Sequence, residues 1–327
     1  MLIVADITLV EAVTQALAYE LANDDSVVIF GEDVGKNGGV FRATAGLQEK
    51  FGESRVFDSP LAESMIAGLA VGMSVQGLKP VAEFQFMGFI FPAMNQIIAH
   101  AARMRNRTRG RLSCPIVFRA PFGGGIRAPE HHSESTEALF AHIPGLQVVI
   151  PSSPKRAYGL LLAAIRNPDP VIFLEPKRIY RLVKQPVEDD GKALPLGKCF
   201  RLREGTDLTL ISWGASVHET MLAAKELAED GIYCEVLDVA TIKPLDIETI
   251  LDSVERTGRC IIVHEAAKTG GVGAEISAQI MENCMSSLIA PVQRVTGYDV
   301  TMPYFQLEKF YLPSVARIKE TAMSIME

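Results

Sequence analysis

At 327 residues, with 48% hydrophobic and 22% charged content, the chain has the composition of an ordinary globular protein and the length of two domains. A formal net charge of −7 and a pI near 5.5 exclude the basic footprint that a nucleic-acid partner requires. The apolar stretches 66–75 and 87–94 are broken by Gly, Ser or Pro well short of the ~20 residues of a membrane span, which argues against a membrane protein.

The N-terminal stretch reaches Asp6 with neither a basic leader nor an apolar core of signal-peptide length. The five cysteines (Cys114, Cys199, Cys234, Cys260 and Cys284) are scattered and lack CxxC spacing. Together these features predict a cytoplasmic protein with reduced, buried thiols.

In chain order, apolar β-branched runs at 27–31, 80–84, 115–119, 147–150 and 171–175 predict strands. Between them, helical periodicity covers 8–22, 61–75, 93–105 and 153–165. This alternation predicts an α/β fold with a doubly wound parallel sheet over residues 1–182. Residues 183–205 are rich in turn signals and read as a linker. Strands at 208–212, 234–237, 260–263 and 292–295, with helices at 216–229, 247–254 and 274–282, then predict a smaller α/β domain over 206–327.

Several motifs fail on inspection. Gly31-Glu-Asp-Val-Gly-Lys36 has three residues rather than four between its glycines, and Asn37 stands where a P-loop needs Ser or Thr. Gly271-Val-Gly273 is followed by Ile276 where a nicotinamide fingerprint wants a small residue, so a helix-opening turn is the plainer reading. The arginines at 103, 105, 107, 109 and 111 form no broad basic helical face and have no interleaved aromatics.

The segment Phe57-Asp-Ser-Pro-Leu-Ala-Glu63 carries a helix start, with Ser59 as N-cap and Pro60 at the first helical position. Gly68 and Gly72 then give that helix a small-residue face. A glutamate in such an apolar opening turn is either a surface carboxylate favoured by the helix dipole or a buried one with a raised pKa.

Taken together, the ordered motifs are distinctive. Gly31-Glu-Asp-Val-Gly, Gly38-Gly-Val-Phe-Arg, Arg55-Val-Phe-Asp-Ser-Pro-Leu-Ala-Glu63, Pro80-Val-Ala-Glu-Phe-Gln-Phe, Phe122-Gly-Gly-Gly-Ile-Arg, His131-His-Ser, Pro144-Gly-Leu, Val171-Ile-Phe-Leu-Glu-Pro-Lys-Arg-Ile-Tyr and Arg294-Val-Thr-Gly-Tyr-Asp follow one another along the chain. This series resembles the β subunit of the decarboxylating component of 2-oxo acid dehydrogenase complexes, among the transketolase-like thiamine enzymes.

The resemblance implies a pyrimidine-binding domain followed by a transketolase C-terminal-like domain. It implies thiamine diphosphate shared with a separate α subunit, whose Gly-Asp-Gly motif holds magnesium and the diphosphate; this chain contains no Gly-Asp-Gly. It further implies two α and two β chains, a 2-oxo acid substrate and a lipoyl-bearing dihydrolipoyl acyltransferase as acyl acceptor.

By position, Glu63 matches the catalytic glutamate that holds a proton against the pyrimidine ring, and Leu61 and Ala62 flank it at the cofactor. Glu32, Gln85 and Phe89 match cofactor-side positions, and His132 matches a histidine of the active-site funnel. A glycine-rich loop before that histidine reads as mobile. A potassium site is implied at Ile116, Ala164, Ile165, Asn167 and Asp169, with Asn167 departing from the Asp common there.

Residues 38–47 and 123–135 look most like pyruvate dehydrogenase, while 175–181 also look like the branched-chain enzyme; acetoin dehydrogenase is a third option. A non-catalytic assembly module is the alternative of a different class, and retention of both Glu63 and His132 speaks against it.

Overall fold

The computed structural model describes residues 4–327; residues 1–3, where the N-terminal stretch begins, lie outside them. The strands in chain order are β1 Val4–Ile7, β2 Val27–Gly31, β3 Val56–Asp58, β4 Lys79–Glu83, β5 Val117–Phe122, β6 Gln147–Val149, β7 Val171–Pro176, β8 Gln185–Glu188, β9 Phe200–Arg203, β10 Leu208–Ser212, β11 Cys234–Asp238, β12 Thr241–Lys243, β13 Cys260–His264 and β14 Gln293–Thr296. A seven-stranded sheet has the order β12-β6-β7-β5-β4-β2-β3, parallel except where β12 meets β6. A five-stranded sheet has the order β14-β13-β10-β11-β9, parallel except at β9.

The central strands β2, β5 and β7 are buried along their whole length, because helices cover both faces of the sheet. Alternate residues supply two cores. Val27, Ile29, Val117 and Phe173 face the packed helices Leu9–Asn23 and Pro154–Arg166, while Phe30, Phe118 and Ile172 face Glu63–Val75. The first of these helices opens on a capping box between Thr8 and Glu11. The second opens on Ser153 as N-cap with proline in its first turn.

The two sheets are not independent. Trp213, Leu237, Val239 and Ile242 join the same core as Phe84 and Phe118, and β12 adds a strand from the second half of the chain to the first sheet. The segment 183–205, expected as a linker, contains β8, which pairs with β1, and β9, which edges the second sheet. Its short, half-exposed strands leave little periodicity to detect.

Two other expectations change. The helix expected at 93–105 is a series of short turns: 3-10 at Met87–Ala93, a π turn at Gln96–His100, 3-10 at Ala101–Arg103 and α at Met104–Arg107. The strand expected at 115–119 lies at Val117–Phe122. The five cysteines are free, and all but Cys199 are buried.

Candidate active site

Neighbouring parallel strands β3, β2, β4 and β5 end at one edge of the large sheet, and the predicted residues follow those ends. Glu32 follows β2, Leu61, Ala62 and Glu63 follow β3, Gln85 and Phe89 follow β4, and His132 lies beyond β5. From β2 the chain steps outward to β3, then returns past β2 to β4 and onward to β5. This reversal makes the crevice beyond β2 and β4 a topological switch point, the usual ligand site of an open parallel sheet. Gln85 Nε2 donates across it to Asp33 Oδ2 at 3.3 Å.

The start of the Glu63 helix differs from the expected one. Ser59 N–H donates to Gly31 O at 2.9 Å, which extends the β2–β3 pairing and keeps residue 59 out of the helix. A residue before proline is itself biased towards extended backbone. The helix therefore begins at Glu63, with Ala62 at the N-cap position and no side-chain cap. Glu63 is half-buried at the positive end of the helix dipole, while Leu61 beside it is 71% exposed. Burial, then Asp33, then Glu63 itself raise the Glu32 carboxyl above its usual range, so Glu32 and Glu63 share one electrostatic environment.

His132 ends a short turn, Glu130–His132, that packs against aromatic rings. Phe86 meets its imidazole edge-on at 4.4 Å and Phe89 does so at 5.1 Å; Phe89 also lies 5.6 Å from His131. Phe86 was not among the predicted residues, though the alternation Phe84-Gln85-Phe86 places it on the same strand end. His132 Nδ1 is enclosed and has no hydrogen-bond partner among the described residues. Gly88 packs against the His131 carbonyl, so a side chain there would displace the turn.

Beneath the crevice, fully buried Arg119 on β5 pairs with Glu83 at the end of β4 and, at 2.6 Å, with Glu175 on β7. Tyr180 donates to Glu175 Oε2 at 2.6 Å. Burial opposes the charge of Arg119, but Glu175 and Glu83 outweigh it and hold the guanidinium more firmly charged than usual. The Tyr180 ring packs on Phe41 at 5.3 Å, and Phe41 on Phe86 at 5.5 Å.

The five potassium positions lie away from this edge, where the helix Pro154–Arg166 ends. Val171 N–H donates to Ile116 O at 2.9 Å and Asn167 N–H to Ala164 O at 3.2 Å, while Ile165 is buried in the last helical turn. Asn167 Oδ1 accepts from Gln147 Nε2 at 3.0 Å, and Asp169 pairs with Arg105 at 2.6 Å.

Known proteins match this arrangement over nearly its whole length. The family "Transketolase, pyrimidine binding domain" matches residues 5–183, and "Transketolase, C-terminal domain" matches 197–318. A protein of Acholeplasma laidlawii named pyruvate dehydrogenase E1 component subunit beta is 52% identical, with 96% of each chain covered. The chain belongs to the transketolase-like family of E1 component β subunits. Members bearing the same name from Bacillus subtilis and Staphylococcus aureus are 51% and 47% identical, each with 99% of both chains covered.

These E1 β relatives favour the pyruvate-type reading over the branched-chain, acetoin and assembly-module alternatives. A solved "split gene transketolase, inactive beta4 tetramer" shares the fold, with a TM-score of 0.81, 23% identity and 98% of each chain covered.

Proposed function

We propose that this chain is the β half of a cytoplasmic, thiamine diphosphate-dependent enzyme that decarboxylates pyruvate. It works with a separate α chain, as two α and two β chains, and passes the acyl group to a lipoyl-bearing dihydrolipoyl acyltransferase. The observation that carries the reading is the convergence of Glu32, Glu63, Gln85, Phe89 and His132 on one switch-point crevice.

This crevice fits the aminopyrimidine half of the cofactor. It offers a helix-end carboxylate, a second carboxyl with a raised pKa, an amide and an aromatic wall, with the orphaned His132 Nδ1 at its rim. Bound there, thiamine diphosphate supplies a carbon nucleophile and an electron sink for losing carbon dioxide from a 2-oxo acid. Glu63 would hold and return a proton at a pyrimidine ring nitrogen. Leu61, Ala62, Gln85 and Phe89 would orient the ring, and Glu32 would line the cofactor side next to Glu63. His132, at the mouth, would donate hydrogen bonds to substrate and to the arriving lipoyl group.

An α chain would cover what this chain leaves open and bring the magnesium and diphosphate ligands. Leu61, Met65 and Leu69 are exposed around the Glu63 helix, and a side chain at Gly72 would meet open space. A potassium ion at Ile116, Ala164, Ile165, Asn167 and Asp169 would rely on main-chain carbonyls, because Gln147 and Arg105 already engage the two polar side chains.

The test is Glu63→Gln in the assembled α–β enzyme. Gln preserves size but cannot supply the proton, so exchange of the thiazolium proton in deuterated water should slow by about 100- to 10,000-fold. Cofactor affinity, read by calorimetry, should fall far less. Exchange at the wild-type rate would show that Glu63 is only a helix-start carboxylate.

A further inference from the structure

The run Gly123-Gly-Gly125 looks like a hinge in sequence, yet each glycine lies against a side chain. A Cβ on Gly123 would fall 2.6 Å from Glu265 Oε1, one on Gly124 would fall 2.5 Å from Met302 Cε, and one on Gly125 would overlap the stem of Arg178. Gly123 and Gly125 also hold φ values of +79° and +86°, which L side chains rarely adopt. Backbone conformation therefore favours glycine at 123 and 125, and the Arg178 stem also closes the space beside 125.

That approach brings main-chain donors onto two carboxylates from the second half of the chain. Gly124 N–H donates to Glu265 Oε1, and Ser135 Oγ donates to the same oxygen at 3.3 Å. Gly125 N–H donates to Glu308 Oε1 at 2.6 Å and Arg127 N–H to Glu308 Oε2 at 3.1 Å. Both carboxylates are buried, with Glu265 6% and Glu308 5% exposed. Charge-assisted bonds from backbone N–H groups are among the stronger ones, and a buried carboxylate needs them. Both glutamates also help to keep the buried Lys177 charged, although burial lowers its ammonium to about 8. Arg178 adds an ion pair to Glu219 of the second half.

We infer that Glu265 and Glu308 are positioning residues that clamp the glycine loop from the second domain, and through it set the place of the His131–His132 turn at the mouth of the active site. The C-terminal domain thus contributes to active-site geometry without touching substrate. Ser135 extends the clamp beyond the histidines, so the turn is held on both sides. The inference rests on the proposed role of His132 for its catalytic consequence, but not for the clamp itself.

The experiment uses the assembled α–β enzyme with Glu308→Ala, Glu308→Gln, His132→Ala and the double variant Glu308→Ala/His132→Ala. Hydrogen exchange followed by mass spectrometry reads the amides of residues 124–127. Exchange should rise about tenfold or more in Glu308→Ala and less in Glu308→Gln, which keeps one acceptor oxygen. Acyl transfer to a lipoyl domain should lose kcat with little change in KM for pyruvate, and the double variant should fall no further than His132→Ala alone.

Unchanged exchange in Glu308→Ala would overturn the clamp, and losses that multiply in the double variant would overturn its action through His132. If His132→Ala proved silent in transfer, the proposed role of that histidine would fall, while the exchange measurement would still decide the clamp. Retained α-chain association and melting temperature in Glu308→Gln separate loss of positioning from loss of folding.

Discussion

The imidazole of His132 meets the ring of Phe86 edge-on, with centroids 4.4 Å apart, and its Nδ1 is enclosed without a partner among the described residues. Phe86 in turn stands edge-on to Phe41, which packs on Tyr180 above the buried Arg119 ion pairs. His132 is therefore braced by a column of rings rising from the sheet. A buried imidazole nitrogen left without a partner is costly in a finished structure, and a bound ligand or water would relieve it.

His132→Ala should impair acyl transfer to a lipoyl domain more than decarboxylation read with an artificial electron acceptor. This follows from the proposed role of His132, whose ring packs on Phe86 and Phe89 beyond β4, whereas Glu63 opens the helix that follows β3. Parallel assays of the assembled enzyme decide this, and equal losses in both would remove the role at the mouth.

Phe86→Leu should keep the apolar volume but lose the edge-on contact. Such aromatic contacts contribute about 0.5–1.5 kcal/mol beyond area burial, so acyl transfer should fall by about 2- to 10-fold while the melting temperature changes little. A loss as large as that of His132→Ala would mean that Phe86 contacts substrate directly.

The proposed site residues Glu32, Glu63, Gln85, Phe89 and His132 come from the family resemblance, and each lies beyond a strand end of the large sheet. The supports around them are not legible in the sequence. Ser59 and Pro60 imitated a helix start because local capping preference cannot reveal that Gly31 O already takes the Ser59 N–H. The glycine loop looked mobile for a similar reason. Its clamps lie 141 and 183 residues along the chain, beyond any periodicity or spacing argument. The irregular turns of 87–107 escaped because a mean apolar pattern does not separate an α-helix from 3-10 and π turns, although Pro92 marks the interruption.

Arg119→Met should destabilise the full chain by about 3–5 kcal/mol in urea denaturation, because it leaves Glu83 and Glu175 buried without their cation. Tyr180→Phe should cost only about 1 kcal/mol, since Glu175 Oε2 keeps its 2.9 Å bond from Arg119 Nη2. Comparable losses in the two variants would show that the tyrosine hydroxyl, rather than the ion pair, organises the network.

Glu137 should set a pH dependence of stability that Glu137→Gln removes. Its carboxyl is fully buried, receives Trp213 Nε1–H at 3.2 Å, and is pushed by burial from 4.5 to about 7, against the smaller opposing effects of its own backbone and Trp213. Between those pH values the folded chain binds a proton that the unfolded chain has released, so this group makes stability fall as pH rises from 4.5 to 7. Above 7 the cost is complete, on the order of 3 kcal/mol. Gln keeps an acceptor for Trp213 and carries no charge.

His264, stacked on Trp213 at 5.0 Å and lowered by burial from 6.5 to about 4, contributes the opposite slope, since it makes stability rise with pH between about 4 and 6.5. The difference between Glu137→Gln and wild type cancels the histidine and isolates the glutamate. The variant should gain stability over wild type progressively from pH 4.5 to 7 and hold that gain above it. A difference independent of pH would place the Glu137 carboxyl in its ordinary range and its environment in contact with water.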